Sequence, residues 1–117
     1  MTLERIVREL GLERLTPALA ENEKAEVEAA HASDLLSDVL AHAPRGGLLL
    51  TSQTHLNVVA VAVHAEQGGV IFTAGMTPQG AVCERAVAEG LPLFASREST
   101  FDLCGRLYAL GLRGGHG

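Results

Sequence analysis

The chain has 117 residues, enough for one packed domain and too few for a second folding unit. With 14 acidic against 9 basic side chains it carries a formal net charge of −5, which argues against a phosphate backbone or an anionic membrane surface, so neither nucleic acid nor membrane is expected as a partner. Apolar residues make up 47 % but aromatics only 3 %, so the core has to be assembled from Leu, Val and Ala, a composition suited to helices laid on a sheet.

Met1 to Leu12 alternates charged and apolar residues and has no uninterrupted apolar h-region, so it does not read as a signal peptide. The longest apolar run, Val58 to Val63, is too short to span a bilayer, and a cytoplasmic location is the expectation. Thr2 to Leu10 places Leu3, Ile6, Val7 and Leu10 on one face of a short helix, capped by Thr2, with Glu4 in its first turn and Gly11 ending it. Glu13 to Thr16 reads as a short strand before Pro17, Glu21 to Lys24 as an exposed loop, and Ala25 to Ala30 as a second short strand.

From Ser33 a helix is expected, capped by Ser33 with Asp34 in its first turn, burying Leu35, Leu36, Val39, Leu40 and Ala43 and stopped by Pro44 and Gly46-Gly47. Three repeats of apolar strand, polar turn and helix follow. The strands are Leu48 to Thr51, Val70 to Thr73 and Leu91 to Ala95, and their starts lie about 21 residues apart, room for a crossover helix between parallel neighbours. Asn57 to Ala65 is Val-rich, but the span it occupies must supply such a crossover, so it is expected to be helical against its propensity. The last helix, Thr100 to Leu110, begins with Ser99 and Asp102 in capping-box spacing and stops at Gly111. Residues 1–112 are then one domain, and Arg113 to Gly117 a loose, flexible tail. Cys83 and Cys104 fall in different helices without the spacing of a metal knuckle or redox pair, and read as buried thiols.

In an open α/β sheet, small ligands sit beyond the carboxyl ends of the strands, where helix N-termini present N–H groups. Three turns should gather there, with Ser52, Gln53, Thr54, His55 and Asn57 in the first, Thr73, Ala74, Gly75, Met76 and Thr77 in the second, and Ser96, Arg97, Ser99 and Thr100 in the third. Ser52 or Thr54, Thr77 and Ser99 serve equally as plain N-caps, and the two readings are compatible. As a site, the turns form a polar crevice for a neutral or anionic small molecule, with Arg97 or His55 at its charged group. A second stripe, His31, Asp34, Asp38 and His42, has the residue types of a cation site, but a polar stripe is also what a surface helix shows opposite its core. No metal and no cofactor are assigned. The one lysine, Lys24, follows no glycine, and no Gly-x-Gly-x-x-Gly is present, so neither a P-loop nor a dinucleotide fingerprint supports nucleotide-driven catalysis, and no nucleophile–base pair is recognisable.

Ser33 to Leu112 resembles a DRTGG domain. The resemblance rests on Ala32-Ser33-Asp34-Leu35-Leu36-Ser37-Asp38-Val39, Gln53-Thr54-His55-Leu56-Asn57-Val58-Val59-Ala60, Thr73-Ala74-Gly75, Gly90-Leu91-Pro92-Leu93 and Ser99-Thr100-Phe101. Where that family carries Asp-Arg this chain has Thr54-His55, and its Thr-Gly-Gly turn is here Thr73-Ala74-Gly75, so no role of the Asp-Arg pair is carried over. Such domains are accessory parts of long phosphate acetyltransferases and CBS-containing pyrophosphatases, and are similar to the N-terminal domain of HPr kinase/phosphorylase. The resemblance implies a three-layer α/β/α fold with a mixed, mostly parallel sheet of about five strands and self-association as a homodimer; the serine-kinase label that free-standing copies often carry is not transferred, because these residues hold no P-loop. It also implies a regulatory module that senses a nucleotide or another phosphorylated metabolite. The competing readings are an assembly module docking on a separately encoded partner enzyme, and a small metal-dependent enzyme.

Overall fold

The computed structural model describes residues 1–115. One six-stranded sheet has the order β1-β5-β4-β3-β2-β6, with β1 (Glu13–Arg14) antiparallel to β5 (Leu93–Ala95) and every other pairing parallel. The remaining strands are β2 (Ala29–Ala32), β3 (Leu48–Thr51), β4 (Gly69–Phe72) and β6 (Arg113–Gly114). The helices are α1 (Leu3–Leu10), α2 (Leu36–His42), α3 (Leu56–His64), α4 (Gly80–Glu89) and α5 (Thr100–Ala109), with a 3₁₀ segment over Pro17–Lys24.

The layering follows from handedness. The chain steps β2, β3, β4, β5 in one direction, so right-handed crossovers place α2, α3 and α4 on the same face. The return from β5 to β6 crosses the whole sheet backwards, and the same handedness sends α5 to the opposite face, beside α1. Side chains alternate accordingly. Leu48, Leu50, Ile71 and Phe94 pack under α1 and α5, while Leu49, Val70, Phe72 and Leu93 pack under α2, α3 and α4. Phe72 and Phe94 are both buried, each contributing about 1.5–3 kcal/mol over an exposed position. This is the expected three-layer α/β/α arrangement, and the Val-rich stretch is helix α3.

Several local expectations are corrected. Leu3 and Val27 pair their N–H groups with Ala25 and Met1, so residues 25–27 are tied to the start of the chain and the strand shifts to Ala29–Ala32. Glu21–Lys24 is exposed as expected except at Glu23, but it is the end of the 3₁₀ segment and not a loop; Glu23 is 2 % exposed, its carboxylate held by both Nε and Nη2 of Arg14 at 2.9 Å. The helix expected from Ser33 begins at Leu36, because Ser33 continues the β2–β3 ladder through Leu50 and Asp34 is drawn to the end of β3. The core-facing side is narrower than expected: Val39 is completely buried with Leu36 and Ala43 packed partly buried beside it, while Leu35 and Leu40 are exposed. Leu91–Pro92 precede β5 instead of opening it, since Leu91 N–H caps α4 at Ala86 and Pro92 has no N–H to give. The expected loose tail supplies a sixth strand. Arg113–Gly114 pair with Ala29–Ala30, and Arg113 lies 3.7 Å over the Tyr108 ring; residues 116–117 of that tail lie outside the described residues.

Candidate functional site

Adjacent strands whose crossovers leave to opposite faces open a crevice between them at their carboxyl ends. In this sheet that condition is met between β4, which leads to α4 on one face, and β5, which leads to α5 on the other. β3 and β4 both send their chains to the same face, so no such crevice opens between them.

At the β4/β5 switch point the two turns are stitched together. Ala74 N–H donates to the Glu98 carbonyl at 2.8 Å and Gly75 N–H to the Ser96 carbonyl at 2.9 Å. Below them Thr73, wholly buried, and Thr100 bring their hydroxyls to 2.6 Å. Ala74 and Gly75 both take left-handed conformations, with φ of 57° and 75°, a chain reversal that glycine accepts freely and alanine does not. Outside this stitch lies a cleft of about 500 Å³. Gly75, Thr77, Ser96, Arg97 and Glu98, from the turns after β4 and β5, line it. Leu10 and Gly11 at the end of α1, and Glu13 on β1, line it as well. Glu98 is paired with Arg106, whereas Arg97 is exposed and makes no ion pair among the described residues.

The sequence-predicted residues divide between this cleft and two other places. Gly75, Thr77, Ser96 and Arg97 line it; Ala74, Thr73 and Thr100 build the stitch beneath. Ser52, Gln53, Thr54 and His55 belong to the turn between β3 and α3, and Asn57 to the first turn of α3, all away from the cleft lining. There His55 is the N-cap, its Nδ1 accepting from Asn57 N–H at 3.1 Å, in place of Ser52 or Thr54. Thr77 is likewise not a cap, since α4 starts after Gln79, while Ser99 caps α5 through Asp102 N–H as expected. Leu10, Gly11 and Glu13 were not expected at a site: a two-residue strand carries no signal of which neighbour it pairs with.

Asp34 departs from the stripe proposed with His31, Asp38 and His42. Its Oδ1 accepts from Thr51 Oγ1 at 2.9 Å and from Ser52 N–H at 2.7 Å, and its Oδ2 from Ser52 Oγ at 2.7 Å. Partial burial works to raise this carboxyl, but the bonds from Ser52 and Thr51 outweigh it and hold Asp34 below the ordinary range. The other three remain together, with His31 Nε2 2.7 Å from Asp38 Oδ2 and His42 Nδ1 3.0 Å from Asp38 Oδ1. Hydrogen bonds from His31 first, then Ser33 and His42, lower Asp38 to about 2. Among the described residues no group of three or more His, Cys, Asp or Glu side chains is arranged to hold a metal ion. Cys83 and Cys104 are free and half-buried, and burial raises both thiols. No helix of the described residues is long and apolar enough to cross a membrane.

Neither family models nor curated proteins match this sequence. A solved structure does match: the CBS and DRTGG domains of the regulatory region of Clostridium perfringens pyrophosphatase, complexed with its activator, diadenosine tetraphosphate. It superposes with a TM-score of 0.72 over 91 % of this chain at 15 % identity, and this chain spans 45 % of that one. The likeness is one of fold: the sheet and its two helical layers are an arrangement found in a structure that includes a DRTGG domain.

Proposed function

We propose that this chain is a non-catalytic regulatory module of the DRTGG type that binds a nucleotide or another phosphorylated metabolite in the β4/β5 cleft and acts as a homodimer. The observation that supports this reading is the position of Arg97: a guanidinium without an ion-pair partner among the described residues, on the wall of a cleft at the topological switch point. A guanidinium there offers forked donors to a phosphate, and Thr77 and Ser96 offer hydroxyls beside it. Among the described residues that line the cleft no nucleophile–base pair is found, and the carboxylates there are Glu13 and the Arg106-bound Glu98, so the arrangement suits binding better than chemistry.

A second reading, an assembly module docking on a separate enzyme, has its own support. Leu35, Leu56, Met76 and Phe101 are exposed by 64, 42, 46 and 84 %, and each follows a different one of the four adjacent strands β2, β3, β4 and β5 at the carboxyl edge.

Calorimetric titration with adenine and guanine nucleotides and acetyl phosphate, on wild type and Arg97→Ala, separates the two. Saturable binding that weakens at least tenfold in the variant supports the cleft. A folded protein that binds none of them moves the assignment to docking.

A further inference from the structure

We propose that the turn closing β3 is a seat for a small oxyanion, the phosphate or carboxylate group of a ligand, and that Asp34 occupies this seat as an internal competitor. Three donors converge on Asp34 and share it as a bound oxyanion is shared, two on Oδ1 and one on Oδ2. One of them is fixed from beneath. Thr51 is wholly buried, and its Oγ1 accepts from Gln53 N–H at 3.1 Å, so its own proton is turned outward toward Asp34.

Asp34 is not locked in place by secondary structure. It stands in the turn between β2 and α2, two residues before the helix begins, and is itself exposed. Ser52 is half-exposed, so the seat opens to solvent at the carboxyl end of a central strand. Two anions cannot share these donors. A ligand group that enters must expel Asp34, which releases the Ser33–Leu35 turn and the start of α2 beside it. Occupancy of the seat is thereby read out as a change in the β2–α2 connection. None of these residues lines the Arg97 cleft, so the seat stands or falls independently of the function proposed above.

Titration of the full chain with inorganic phosphate and with acetate, at ionic strength fixed by potassium chloride, tests this. Asp34→Ala should bind phosphate saturably and at least tenfold more tightly than wild type, and adding Ser52→Ala should abolish the gain. Phosphate favoured over acetate by tenfold or more identifies a phosphate seat, and equal affinities a carboxylate seat. Arg97→Ala in the Asp34→Ala background should leave this binding unchanged. Asp34→Asn, which keeps the side-chain shape but removes the charge, serves if the alanine variant does not fold. Folded variants that bind neither anion above the chloride control would reduce Asp34 to a structural tie and overturn the proposal.

Discussion

The hydroxyl oxygens of Thr73 and Thr100 lie 2.6 Å apart, joining the residue that follows β4 to the first residue of α5 beneath the crevice. Because α4 and α5 leave to opposite faces, this pair is one of the ties that hold the two sides of the switch point together. Thr73→Val keeps the shape and removes one hydroxyl, and should cost about 1 kcal/mol. Thr73→Val with Thr100→Val should cost less than the sum of the single changes, with a coupling of about 0.5–1.5 kcal/mol by urea denaturation. Strict additivity would mean that the two hydroxyls do not interact in solution.

Ala74 holds a left-handed backbone at φ 57°, where a Cβ crowds the following carbonyl. Ala74→Gly should therefore stabilise the protein by about 0.5–1 kcal/mol, the relieved strain exceeding the added entropy of the unfolded chain. A lower denaturation midpoint in the variant would show that the turn is not strained.

The Arg14–Glu23 pair is asymmetric: the Glu23 side chain is 3 % exposed and that of Arg14 43 %. Removing the arginine strands a buried carboxylate, whereas removing the carboxylate leaves a guanidinium that reaches water. Arg14→Met should cost about 2–3 kcal/mol and Glu23→Gln about 1 kcal/mol less, read from chemical denaturation. Equal losses would indicate that Glu23 escapes to solvent when unpaired.

Asp38 titrates at about 2 in the fold against an ordinary value of 3.8, and Asp34 is lowered as well. A depressed folded pKa contributes stability that is complete above the unfolded value and is lost as pH falls through the folded one. Thermal midpoints should therefore drop between about pH 4 and pH 2, and Asp38→Asn should flatten part of that slope. An unchanged acid limb in the variant would contradict the His31–Asp38–His42 cluster.

The central fold was legible in the sequence because its signals are redundant: three apolar runs at one spacing need crossovers, and that demand overrides the β propensity of the Val-rich helix α3. The first 35 residues were less so. The shift of β2 depends on pairing between residues 25–27 and the chain start, and the burial of Glu23 on a partner nine residues away, neither of which leaves a periodic trace. At the site, the polar turns were readable as strand-to-helix junctions, but which of them share a cleft depends on the face each crossover takes. That is decided by strand order, and the return of the chain to β6 came from a segment whose glycines and lack of apolar residues point to a tail. Asp34 was misplaced for a related reason: in the first turn of a helix it would face solvent, and only the late start of α2 frees it to reach β3.

The most direct test of the cleft is amide chemical-shift mapping during titration with a nucleotide that binds. The account predicts shifts concentrated at Gly75–Thr77 and Ser96–Glu98, with Gly11 and Glu13 of the cleft lining beside them, and their loss in Arg97→Ala. Shifts that instead spread over the exposed faces of α2 and α4 and leave those residues unmoved would contradict it.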